Sequence, residues 1–227
     1  NKCVGGTNLG KQTMTCQESE ESTEVTMGTE TEEEVDAVTG GVKQAKTSTS
    51  KMDRQPKELV YLKPEGRVVF TISQYSGALY RSVDYGTTWT LETGKLPKYN
   101  SPEDAVFSFD VSPANPNQVM FVGNGKINWI TEDGGETYQI IKLDWSMRKG
   151  GVKWHPTDGD KGLAYKEDPD CLQQRSVRCY GNLMLTEDGG REWKSIAANI
   201  KYPNYAWAVE AWPKMGDNAI FAVQHSK

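Results

Sequence analysis

The residues of this chain best placed to do chemistry are three aspartates that recur in one eight-residue pattern, Ser/Thr-x-Asp-x-Gly-x-x-aromatic. The copies run Ser82-Val-Asp84-Tyr-Gly86-Thr-Thr-Trp89, Thr131-Glu-Asp133-Gly-Gly135-Glu-Thr-Tyr138 and Thr186-Glu-Asp188-Gly-Gly190-Arg-Glu-Trp193. A carboxylate repeated in this way has two chemical uses. It can act as the acid–base group of a glycosidase, which also needs a second group across the scissile bond. Or it can fold onto backbone N–H groups just ahead of it and staple a turn. The glycine then supplies a backbone conformation that a side chain would forbid. The aromatic residue leaves the turn and buries its ring in apolar packing. The staple needs nothing beyond the eight residues themselves, and it is the reading the pattern favours. No catalytic residue is expected.

The other reactive groups give an enzyme little support. A glycosidase acting on acidic sugars would need several guanidiniums clamping the substrate carboxylate. The arginines are Arg54, Arg67, Arg81, Arg148, Arg175, Arg178 and Arg191. Arg81 and Arg191 adjoin or lie within the Asp turns, Arg175 and Arg178 sit in a polar insert, and none falls on an expected inner strand. Cys171 and Cys179 bound that insert between two strand-like runs. A bridge closing so short a loop contributes roughly 2–3 kcal/mol. A disulfide is expected there, which implies an oxidising compartment, and Cys3 with Cys16 forms a possible second pair. With two histidines, His155 and His225, and no zinc-knuckle spacing, no metal is expected. Asp158-Gly-Asp160 and Glu167-Asp-Pro-Asp170 lack the alternating ligands of a calcium loop. No cofactor is expected either.

The elements that position the aspartates follow from the spacing. The three aspartates lie 49 and 55 residues apart, a period that indicates an array or a propeller. Each pattern follows a strand-like run (Ala78-Leu-Tyr80, Lys126–Ile130, Asn182–Leu185) and leads into another, such as Tyr138–Ile141 or Trp193–Ile196. Strand, pinned turn and strand make a hairpin. Upstream, Phe107–Ser112 and Gly151–His155 each precede a proline and a polar turn, then a further strand at Gln118–Val122 and Gly162–Tyr165. The unit is a four-stranded blade of about 50 residues. Arg67–Ile72 fills the second slot of an earlier blade, and Tyr205–Glu210 with Ala219–Val223 fill the first two slots of a later one. Trp145, Trp154, Trp207 and Trp212 are expected to pack between blades. The expected fold is therefore all-β: a β-propeller fragment of about three four-stranded blades with Asp-box hairpins over residues 57–227, incomplete at its C-terminal end.

Residues 1–56 read as a disordered acidic, threonine-rich leader. Between Gln17 and Asp36 there are nine acidic residues and no basic one, with too little apolar surface to offset chain entropy. The net charge is −5; the leader holds six basic against ten acidic residues, and the remainder is close to neutral. A near-neutral body lacks the basic face that nucleic-acid binding requires. No run approaches the roughly 20 apolar residues that cross a bilayer, so contact with a membrane would come only through a span outside this chain.

Gly77-Ala-Leu-Tyr-Arg-Ser-Val-Asp-Tyr-Gly86, the Trp154-His-Pro156 turn, and Asn182-Leu-Met-Leu-Thr-Glu-Asp-Gly-Gly190 with Trp193 together resemble the vacuolar protein sorting ten (Vps-ten) domain of sortilin-type receptors. The resemblance covers Glu58 to Lys227. It implies a ten-bladed propeller in the complete domain, followed by cysteine-rich modules, a single membrane span and a cytoplasmic sorting tail. It further implies a place in the Golgi and endosome lumen and protein or peptide cargo such as hydrolase precursors. No ligand-contact residue carries over by position. Two other readings stand beside it: a sialidase-like Asp-box glycosidase, and a soluble assembly-factor propeller of the kind serving photosystem biogenesis, which would need no cysteine pair.

Overall fold

The computed structural model describes residues 2–8, 11–17, 23–29, 46–98, 105–168, 180–208, 216 and 218–224, with side chains from Ser50 onward. The chain divides into two compact units, Asn1–Gly94 and Lys95–Lys227.

The first unit begins with β1 (Lys2–Asn8), β2 (Lys11–Gln17), β3 (Thr23–Thr29) and β4 (Lys46–Met52), paired in the order β2-β1-β3-β4. β1 runs antiparallel to β2, with Cys3 opposite Cys16, and parallel to β3. These strands fall in the span that composition leaves unfolded. The acidic run itself lies largely outside the described residues. Packing also reaches upstream of the expected boundary at residue 57: Met52 is buried against Tyr80, and Asp53 accepts hydrogen bonds from Ser73 Oγ at 2.6 Å and Tyr80 Oη at 3.1 Å.

The same unit carries the first Asp-box sheet: β5 (Pro56–Tyr61), β6 (Val69–Ser73), β7 (Leu79–Ser82) and β8 (Thr90–Leu91), an antiparallel meander in chain order. β6 is buried along its whole length, which is why its apolar residues form a run rather than alternate.

The second unit holds β9 (Val106–Val111), β10 (Val119–Gly123), β11 (Ile127–Thr131) and β12 (Gln139–Lys142), again an antiparallel meander. β13 (Val152–Trp154), β14 (Gly162–Glu167), β15 (Gly181–Thr186), β16 (Lys194–Trp207) and β17 (Ile220–Gln224) follow. Met120, Val122, Ile130 and Ile141 of the earlier sheet meet Val152, Trp154, Ala164 and Met184 of the later one, with Trp145 and Met147 of the connecting loop closing the layer. This is sheet-on-sheet packing, as between adjacent blades. Trp145 and Trp154 thus sit where the sequence places them, while Trp212 lies outside the described residues.

One element departs from the expected layout. Tyr205–Trp207 and Ile220–Gln224 do not open a separate sheet. β16 runs unbroken over 14 residues, pairing with β15 through its first half and with β17 through its second, so the sheet has five strands. The β16–β17 register skips between Ile200 and Tyr205. Pro203 falls in that gap, where its missing N–H costs no ladder bond.

Candidate functional site

Each Asp box is a closed local network. The Ser82, Thr131 and Thr186 hydroxyls are buried, and each donates to its own aspartate Oδ1 at 2.7 Å. Each hydroxyl also accepts the N–H of the box glycine: Gly86 at 2.8 Å, Gly135 at 2.8 Å and Gly190 at 2.9 Å. The carboxylates then take the donors ahead of them. Asp84 accepts from Thr88 N at 2.8 Å and Thr88 Oγ1 at 2.6 Å. Asp133 accepts from Glu136 N and Thr137 N, both at 3.0 Å, and from Thr137 Oγ1 at 2.6 Å. Asp188 accepts from Arg191 N at 3.0 Å and Glu192 N at 3.0 Å.

These bonds require Gly86, Gly135 and Gly190 to take φ of 86°, 91° and 94°, a region closed to most side chains. The indole N–H groups of Trp89 and Trp193 return to the carbonyls of Gly86 and Gly190, both at 2.9 Å. Tyr138 instead meets the edge of Phe121 at 5.9 Å.

Partial burial pushes the Asp133 carboxyl up, but the Thr137, Thr131 and Glu136 donors outweigh it and bring its pKa down to about 2. Asp84 and Asp188 are lowered by the same balance of burial against local donors. A carboxylate held ionised by its own turn is an acceptor already in use. That suits a fold staple and opposes a general acid, which needs a raised pKa.

The turns are also fastened to their sheets and, in the second unit, to each other. Tyr85 N, Gly134 N and Gly189 N donate to the carbonyls of Arg67, Asn117 and Asp160, each in the loop ahead of the second strand of the same sheet. From the third box, Arg191 reaches across to the second sheet. Its Nη2 meets Glu132 Oε2 at 2.8 Å and its Nε meets Gln139 Oε1 at 3.2 Å, while Nη1 anchors on Asp188 O at 2.6 Å.

A second cluster, of cations on aromatic rings, holds β13 against its neighbours. Arg148 pairs with Glu167 and lies over Tyr202 and Tyr165, at 4.7 and 5.5 Å from the ring centres. Lys153 Nζ donates to Tyr205 O at 2.6 Å and sits 4.4 Å from the Tyr205 ring centre. Burial lowers the Lys153 ammonium pKa and, with Tyr202 and Asp110 adding to it, raises the Tyr205 phenol. Trp207 Nε1 donates to Lys153 O at 2.8 Å, and Trp154 Nε1 to Asp110 O at 3.2 Å. His155 is buried, with Thr157 N donating to its Nδ1 at 3.3 Å and its ring 4.6 Å from that of Trp207. The sequence does not signal the contacts of Lys153 with Tyr205 and Trp207, because those partners are far apart along the chain.

Asp158 takes a 2.7 Å ion pair from Lys161 and the N–H of Asp160 at 3.1 Å, as a polar turn does. Among the described residues no three His, Cys, Asp or Glu side chains gather as a metal site. No helix there is long and apolar enough to cross a membrane. Cys171, Cys179, Arg175, Arg178 and His225 lie outside the described residues.

Comparison with known proteins follows the same residues. The family model described as "Sortilin-Vps10: Sortilin, neurotensin receptor 3" matches residues 77–227. Vacuolar protein sorting/targeting protein 10 of Uncinocarpus reesii is 24% identical over 190 residues, 78% of this chain and 12% of that protein. The protein of that name in Phaeosphaeria nodorum is 35% identical over 119 residues, 50% of this chain and 7% of the other. The chain thus spans about an eighth or less of these relatives. Among solved structures, the Niastella koreensis GH74 enzyme aligns with 72% of this chain and 21% of its own, at TM-score 0.47 and 13% identity. YCF48 bound to D1 peptide aligns with 66% and 40%, at TM-score 0.44 and 16% identity.

Proposed function

Since the chain belongs to the sortilin–Vps10 family, whose members are vacuolar sorting receptors, we propose that it forms part of the luminal, cargo-binding propeller of a single-pass membrane receptor. That receptor carries hydrolase precursors or peptides from the Golgi to endosomes and the vacuole or lysosome. The membrane span belongs to a part of the protein outside this chain, and Cys171–Cys179 closes a disulfide suited to the oxidising lumen.

One observation carries this reading beyond family membership. The three box carboxylates, the residues best able to react, are spent on their own turns. The repeats therefore build a rigid frame, and binding falls to surfaces that the frame displays.

The test is a cell that makes the complete protein. Its removal is expected to divert soluble hydrolase precursors to the medium, and the purified luminal part is expected to bind such a precursor at neutral pH. Normal hydrolase retention together with absent binding would overturn the proposal. Hydrolysis of a fluorogenic sialoside by the complete protein would replace it with the glycosidase reading.

A further inference from the structure

The chain holds one Asn-Gly pair, Asn124-Gly125, and three Asp-Gly pairs, at Asp133, Asp158 and Asp188. At each, the glycine nitrogen is unhindered by a side chain of its own and can attack the preceding side-chain carbonyl carbon, closing a five-membered ring. The attack is intramolecular, so geometry governs its rate, together with the group that must leave. An amide can lose ammonia, whereas an ionised carboxylate must first take up a proton.

The fold separates the four. Gly134 N and Gly189 N are already bonded, to Asn117 O at 3.0 Å and Asp160 O at 2.9 Å, and the donors of their own boxes hold Asp133 and Asp188 ionised. Asp158 is held ionised by Lys161 Nζ at 2.7 Å, with Asp160 N at 3.1 Å as a further donor. Asn124 has no such restraint. With Gly125 and Lys126 it forms the exposed loop between β10 and β11. Among the described residues neither its side chain nor Gly125 N makes a hydrogen bond, and Ile127 N reaches Asn124 O only at 3.4 Å. Gly125 stands at φ 65°, with open space where a side chain would be.

We propose that Asn124 is a site of spontaneous deamidation in the folded protein, with water as co-reactant. Gly125 N loses its proton and bonds to Asn124 Cγ; the Cγ–Nδ2 bond breaks and ammonia leaves. Water then opens the succinimide. Cleavage at Cγ gives aspartate, and cleavage at the main-chain carbonyl gives isoaspartate, in which the chain runs through the former side chain. Either product takes the net charge of −5 one step more negative, beside Lys126. The β10–β11 ladder runs from the Val119–Thr131 pair to the Val122–Asn128 pair and stops short of the altered bond, so the sheet survives the change. The inference is independent of the cargo reading.

The test incubates the full, folded chain at mildly alkaline pH and body temperature. Anion exchange follows the charge, and peptide mapping with an isoaspartate methyltransferase as reagent locates the product. A synthetic peptide of residues 119–131 gives the unrestrained rate. Asn124 in the chain is expected to convert within about tenfold of that rate, because a loop that misaligned the attack would slow it further than this. Asp133, Asp158 and Asp188 are expected to stay unmodified over the same time. Asn124→Gln is expected to abolish the new acidic species and leave the denaturation midpoint unchanged. Conversion of Asn124 slower than that tenfold limit, or isoaspartate appearing at the box aspartates ahead of it, would overturn the proposal.

Discussion

Replacing Asp133 by alanine removes the acceptor of three bonds from Glu136 N, Thr137 N and Thr137 Oγ1, and of a fourth from Thr131 Oγ1. The Glu136 and Thr137 donors are exposed and recover bonds to water, so the cost is well below the sum of the four. Losing a side-chain acceptor from a tight turn or helix cap costs about 1–2 kcal/mol, and the charge on this one places it near 2. In a domain of this size that lowers Tm by about 4–8 °C.

The pH dependence is a sharper test. Asp133 has a folded pKa of about 2 against about 3.9 for an unfolded aspartate. The unfolded chain therefore takes up the proton first. The stabilisation is complete above about pH 4, declines as pH falls, and is gone once pH passes below about 2. Chemical unfolding followed by tryptophan fluorescence at pH 7, 4 and 2 should show the wild type well above the Asp133→Ala chain at pH 7 and nearly level with it at pH 2. Equal stability at pH 7, or a gap that persists at pH 2, would refute the staple.

Gly190→Ala should lose about 2–3 kcal/mol, because a side chain is strained at φ 94° and the new Cβ would lie 2.6 Å from Met120 Cε and 3.2 Å from the Trp154 ring. Gly94→Ala, with nothing within 4 Å of the new Cβ, should leave the denaturation midpoint unchanged or raise it. Trp129→Phe should lose about 2 kcal/mol in urea unfolding, since the indole is 1% exposed and donates to Pro97 O at 3.0 Å. Non-reduced peptide mapping of luminal protein should recover Cys171 linked to Cys179, and free thiols at both would remove that bridge.

Local chemistry was legible in the sequence and long-range chemistry was not. A box such as Thr131–Tyr138 contains the donors, acceptor and glycine of its own turn, so its hairpin could be read without neighbours. Central strands were equally plain: Val119–Gly123 is buried along its whole length and reads as a continuous apolar run. The continuity of β16 was hidden, because Pro203 reads as a break unless the ladder is known to skip there. So was the Arg191–Glu132 contact, which needs two turns 55 residues apart brought edge to edge.

Repeats of this kind are commonly treated as interchangeable tiles, copied or deleted whole during evolution. The 14-residue strand β16 breaks that tiling at one seam, since a single peptide ribbon pairs with β15 through its first half and with an added fifth strand through its second. A recombination joint, protease cut or inserted tag between Lys194 and Trp207 would strip two ladders together. A joint in the loop between β12 and β13 would sever none. Duplication of these tiles therefore has a natural splice point ahead of Val152 and a forbidden one within β16.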